Sequence, residues 1–115
     1  MGIAEKNMAL HPGLIGIAEL IKAKIKKKDP SADVILFGSH ARGQATADSD
    51  WDILILLNLP HVTRLMEKEF SDELFDIELE QGEIISAFVF SKSEWETKHS
   101  ATPFYHNIKK EGIRL

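Results

Sequence analysis

Two short segments hold residue types whose spacing suits work on a charged ligand. Asp50 and Asp52 are separated only by Trp51, at the start of the apolar run Ile53-Leu54-Ile55-Leu56-Leu57. Side chains alternate between the faces of a strand, so the two carboxylates project to one side and Trp51 to the other. Adjacent anions at the mouth of an apolar strand repel unless a cation or hydrogen-bond donors stabilise them. Such hard oxygen ligands suit Mg2+ or Mn2+, which keep waters and complete their shell with substrate phosphates. The second segment, Gly38-Ser39, follows the apolar run Val34 to Phe37. Glycine lets a phosphate approach the backbone, and the following amides with the Ser39 hydroxyl can donate to its oxygens. Arg42 supplies a further charge-assisted contact, and Gly43 keeps the turn open. A metal-bridged triphosphate would then lie between the two strands. Each match alone is more often a plain turn or a solvated pair of acids.

The elements that position these residues follow from apolar spacing. Leu10, Leu14, Ile17, Ile21 and Ile25 form the stripe of an amphipathic helix over residues 10–28, stopped by Asp29-Pro30-Ser31. Val34 to Phe37 reads as a buried strand ending at Gly38. Residues 38–49 read as a loop, or a loop running into a helical turn, and Asp50 to Leu57 as the second strand, ended by Asn58 and Pro60. Val62, Leu65, Met66, Phe70, Leu74, Ile77 and Leu79 predict a helix up to Gly82, with Ser71-Asp72 as the alternative cap of a second, shorter one. A third strand follows from Ile84 to Phe90, and Trp95 falls in a polar turn or short helix. Thr102-Pro103 starts a last helix, with Gly112 near its end. The order predicts an α/β (α+β) fold, a small mixed β-sheet flanked by helices. It forms a single domain over 1–115, with a core of about 10–91 and a C-terminal helical extension over 92–115.

The chain has 115 residues, enough for one hydrophobic core, and its 43% apolar and 28% charged composition is that of an ordinary globular domain. It has no cysteine, so any metal must be held by oxygen or imidazole. No apolar run is long enough to span a bilayer, and the N-terminus lacks a basic flank followed by an apolar signal core. The expectation is a cytoplasmic protein without membrane contact. A net charge of −4 argues against extensive nucleic-acid binding, which rests on phosphate neutralisation. Lys22, Lys24, Lys26, Lys27 and Lys28 read as a solvated helix end, and Asp76, Glu78 and Glu80 as an exposed acidic face.

Taken together, Gly38-Ser39, ten residues, then Asp50-x-Asp52, with Ala41-Arg42-Gly43 inside the interval, resembles the signature of the DNA polymerase β-like nucleotidyltransferase superfamily. The likeness is nearest to its minimal, antitoxin-type nucleotidyltransferases, and the flanking elements fit that fold from about residue 10 to 91. The resemblance implies that Gly38 and Ser39 bind the phosphates of ATP or another nucleoside triphosphate. It implies too that Asp50 and Asp52 hold Mg2+ or Mn2+. The implied reaction passes a nucleoside monophosphate, AMP in the favoured form, to a hydroxyl, with pyrophosphate leaving.

That pattern asks for a third carboxylate on the next strand, at Ile84 or nearby, and here the chain departs from it. Glu83 is the only acid on the strand and is carried forward as the candidate, its other reading being a solvated strand end. Without a third acid, nucleotide and metal can bind while transfer is slow or lost. The five histidines have no zinc-ligand spacing, and His40, in the phosphate loop, reads as solvent-facing. Ser39 lacks the partners of a serine nucleophile, and the aromatic residues Phe88, Phe90, Trp95, Phe104 and Tyr105 read as core or partner contacts. The resemblance further implies an all-helical HEPN-type partner, as in toxin-antitoxin pairs; a homodimer is also open. Two functions result: an enzyme, or a catalytically degenerate nucleotide-binding, antitoxin-like subunit.

Overall fold

The computed structural model of the chain describes residues 4–5 and 15–115. Its elements are β1 (Ala4–Glu5), α1 (Ile15–Lys28), β2 (Asp33–Phe37), α2 (Gly38–Arg42), β3 (Trp51–Leu57), α3 (Arg64–Gln81), β4 (Ile85–Ser91), α4 (Lys92–Thr97), α5 (Pro103–Glu111) and β5 (Ile113–Arg114). The expected start of the first helix at residues 10–14 lies outside the described residues.

Ile53 to Leu57 are all buried because β3 is central and covered on both faces. The five strands lie in the order β1-β5-β2-β3-β4. β3 runs antiparallel to β2 and parallel to β4, with Phe37 and Ser86 as the two cross-strand neighbours of Asp52. Alternation divides the core. Val34, Leu36, Ile53 and Ile55 pack against Ile21 and Ile25 of α1 and Phe70, Leu74 and Ile77 of α3. Ile35, Leu54 and Leu56 face the other way, against Trp95 of α4 and Tyr105 and Ile108 of α5. Each such fully buried side chain contributes about 1.5–3 kcal/mol.

The helix ends obey local chemistry. Thr63 accepts from Met66 N and caps α3, which runs unbroken through Ser71-Asp72 to Gly82 in the left-handed conformation (φ 68°). Thr102 caps α5 with Pro103 in its first turn. Trp95 is buried within the short helix α4. Leu65 and Leu79, counted in the apolar spacing that predicts this helix, are 66% and 67% exposed. The segment after residue 91 is also more than an extension to a finished core. β5 enters the sheet between β1 and β2, and Ile113 and Leu115 join the α1–α3 side of the core. Gly112 permits this turn, because a Cβ there would meet Ile108 O at 2.6 Å and Ile35 Cγ2 at 2.9 Å.

Candidate active site

The loop between β2 and β3 holds the expected motif, and glycine is required at its first position for two separate reasons. Gly38 has φ 77°, a left-handed conformation in which a side chain is strained. A Cβ there would also overlap the Asp52 Oδ2 atom. The carboxylate of Asp52 therefore rests directly on the glycine backbone, which joins the two halves of the motif at one point.

Asp52 shares the alternation phase of Leu54 and Leu56, so it lies on the α4–α5 face, whereas Trp51 lies with Ile53 and Ile55 on the α1–α3 face. Asp50 immediately precedes β3 and accepts a hydrogen bond at Oδ2 from Ser86 Oγ at 3.3 Å. The Asp52 carboxyl is held above the ordinary value of 3.8 by burial first and by the Asp50 charge second. His40 and Arg42 pull it down, and Glu111 pushes it up. Among the described residues, no group of three His, Cys, Asp or Glu side chains is arranged to hold a metal ion. Two half-buried carboxylates whose mutual repulsion raises a pKa nevertheless match the donor set of Mg2+, which commonly takes one or two carboxylates plus phosphate oxygens.

The rest of the loop is organised from below. Among the described residues the Ser39 hydroxyl makes no hydrogen bond, and its carbonyl accepts from Gln44 N at 2.9 Å. His40, expected to face solvent, is buried instead: its ring stacks on Trp51 with centroids 3.9 Å apart and an interplanar angle of 14°. Its Nε2 lies 3.3 Å from Ser49 O, as a donor to that carbonyl. This leaves Nδ1 buried without a partner among the described residues. The His40–Trp51 stack supports the loop on the face opposite the aspartates.

The structure brings Gly38, Asp50, Asp52 and Arg42 together but directs Glu83 elsewhere. Glu83 Oε1 accepts from the indole Nε1 of Trp51 at 2.9 Å, on the α1–α3 side of the sheet. The residue beside Asp52 on β4 is Ser86. The reason for the correction is register. β4 begins at Ile85, Ile84 only caps the ladder by accepting from Trp51 N at 2.8 Å, and the phase of Asp52 falls on Ser86, Phe88 and Phe90. Two residues of the site were not anticipated. Ser86 could have been found from its phase with Phe88 and Phe90. Glu111 could not: it reaches the loop from α5, 73 residues from Gly38 in sequence. Its Oε2 accepts from Gly38 N at 2.9 Å, and both its oxygens accept from Arg42 Nη1, at 3.2 and 3.1 Å.

Three comparisons bear on this geometry. The sequence pattern of the family described as "Nucleotidyltransferase domain" matches residues 18–114. A Methanocaldococcus jannaschii protein that bears the name protein adenylyltransferase is 34% identical over 99 residues, covering 84% of this chain and 90% of the relative. The crystal structure of a toxin-antitoxin with AMP-PNP superposes with a TM-score of 0.59 at 16% identity, covering 85% of this chain and 70% of that one, a likeness of fold. The mixed sheet, the glycine turn against Asp52 and the match over residues 18–114 agree: the chain belongs to the nucleotidyltransferase domain family.

Proposed function

We propose that this nucleotidyltransferase transfers AMP from ATP to a hydroxyl on a protein, using Mg2+ held by Asp50 and Asp52. The observation that carries the reading is the contact of the Asp52 carboxylate with the left-handed Gly38, the closeness that a metal ligand and a phosphate-accepting turn would need. The choice of AMP and of a protein acceptor is supported by the name of the M. jannaschii relative. A divalent ion at the aspartates would neutralise phosphate charge as it builds on the leaving group. The chain itself would orient the triphosphate with the Ser39 hydroxyl and the loop amides, and Arg42 would pair with a phosphate oxygen. In the reaction the acceptor oxygen bonds to the α-phosphorus, the bond to the β-phosphate bridge breaks, and pyrophosphate leaves.

Ser86 bears on the fate of the acceptor proton. A serine hydroxyl is no base at neutral pH, so the hydroxyl that faces Asp50 can orient that carboxylate but cannot take the proton. The proton then passes to solvent or to an aspartate, and transfer is slow. This same serine favours a second reading, an antitoxin-like subunit that binds nucleotide and acts beside a helical partner of the HEPN type, in the cytoplasm. Among the described residues no helix is long and apolar enough to cross a membrane. Incubation with α-labelled ATP, Mg2+ and candidate protein acceptors tests both. Label transfer that disappears in Asp50→Asn and Asp52→Asn supports the enzyme. Nucleotide binding without transfer in the parent protein supports the subunit.

A further inference from the structure

The Gly38 amide and the Arg42 guanidinium are two of the groups assigned above to phosphate, and both are already engaged by one carboxylate. Glu111 Oε2 accepts from Gly38 N at 2.9 Å, while Arg42 Nη1 donates to Oε1 at 3.2 Å and Oε2 at 3.1 Å. A carboxylate presents to these donors what a phosphate presents: paired anionic oxygens. These two donors are therefore occupied without ligand, and the Arg42 guanidinium is paired with a carboxylate.

We propose that Glu111 is an internal occupant of the phosphate turn, and that a nucleoside triphosphate binds by exchanging with it. The inference rests on the reading of Gly38 and Arg42 as phosphate contacts. The exchange needs only a side-chain rotation. The backbone of residue 111 is fixed by Gly112 N donating to Ile108 O at 2.7 Å and by the burial of Ile113 in the sheet, whereas the Glu111 side chain is 23% exposed. Arg42, itself 43% exposed, also donates from Nε to Gln44 Oε1 at 3.1 Å, so the exchange changes only the partner of its Nη1. Glu111 is thus a residue that sets affinity for the triphosphate by competing with it, and it couples the end of α5 to occupancy of the site.

The test is titration calorimetry of the β,γ-imido analogue of ATP, with Mg2+, into the parent protein, Glu111→Gln, Glu111→Ala, Arg42→Ala and the Glu111→Ala/Arg42→Ala pair. Glu111→Gln keeps the size and an acceptor for Gly38 N but loses the charge, so it carries the decision if the alanine variant folds poorly. The expected result is tighter binding in Glu111→Gln by about tenfold, the scale of one charge-assisted hydrogen bond. Arg42→Ala should weaken binding more in the Glu111→Ala background than in the parent, because Glu111 otherwise occupies the guanidinium. Binding in Glu111→Gln that is equal to or weaker than in the parent overturns the exchange and makes Glu111 a support of the loop. Absence of binding in every protein, the parent included, overturns the phosphate reading along with it.

Discussion

Ser86→Asp places a carboxylate where the register sets a residue beside Asp52, and its consequences can be worked from the neighbours. Adjacent strands lie about 4.8 Å apart. At that separation each like-charge pair costs about 1 kcal/mol with water-like screening and about 3 kcal/mol with the screening of a protein surface. Asp50 and Asp52 are only half-buried, and solvent screening of such pairs brings each toward the lower figure. The hydrogen bond from Ser86 Oγ to Asp50 is lost as well, a charge-assisted contact worth about 1.5 kcal/mol. The variant should lose about 3.5 kcal/mol of stability in chelator, a fall in Tm of about 15 °C for a domain this size. Mg2+ at a hundredfold excess over its Kd should return about 2.7 kcal/mol of this, because three acids bind the ion that two bind weakly. With a base at hand for the acceptor proton, AMP transfer should rise tenfold or more, a modest share of the roughly 100- to 10,000-fold range of general-base catalysis. Scanning calorimetry with and without Mg2+, and label transfer under the same conditions, measure both effects. A Ser86→Asp protein as stable as its parent in chelator, or one that Mg2+ stabilises no more than the parent, would refute the placement of position 86 beside a metal-binding aspartate pair.

Asp52→Asn should abolish transfer yet stabilise the fold at neutral pH by about 0.5 kcal/mol, the scale of exposed charge interactions. The sign follows from linkage. The folded carboxyl titrates above its unfolded value of 3.8, so its favourable contribution is complete below that value and is lost as pH rises through the raised folded value. Urea unfolding from acidic to neutral pH should therefore show a shallower fall in the variant than in the parent. Gly38→Ala should cost about 2 kcal/mol for the left-handed backbone alone, before the overlap with Asp52 is counted, and should displace that carboxylate. An alanine variant with unchanged urea midpoint and nucleotide affinity would contradict the cradle. Trp51→Phe removes the indole donor to Glu83 and part of the stack under His40, for a loss of about 1–2 kcal/mol in chemical denaturation. Removing Glu83 as Glu83→Gln should lower transfer little, since its carboxylate is engaged by Trp51 away from the aspartates.

Local chemistry made much of this fold legible. The unbroken apolar run of Ile53 to Leu57 marks a strand covered on both sides, and Gly82, Thr102 and Pro103 mark helix ends because their conformational preferences act within a few residues. Gly38, Asp50 and Asp52 stand together as expected because β2 and β3 pair antiparallel with Phe37 opposite Asp52. The errors have a shared cause. Glu83 and Ser86 are distinguished by the register of β4, and a one-residue shift in a strand boundary exchanges its two faces. His40 is polar and sits in a polar loop, but stacking on Trp51 is a tertiary contact that no local pattern reveals. Leu65 and Leu79 obey the helical period and still face outward, because α3 is a long helix that packs on the sheet with one narrow stripe. Glu111 is the extreme case, a contact made entirely by the closing of the chain on itself.

The position of β5 has a consequence for assembly. It follows every other described element in the chain, yet its place in the sheet is between β1 and β2. β1, which precedes every other described element, has no hydrogen-bonding neighbour until β5 arrives, and β2 has only β3. A chain emerging residue by residue can pair β2, β3 and β4 early, since these strands follow one another in the chain, but the two strands beyond β2 must wait for a long loop to close. The loop-side carboxylate of Glu111 arrives in that same late step, immediately before β5. The Gly38 turn thus gains its contact with Glu111, and the sheet is completed, in one event.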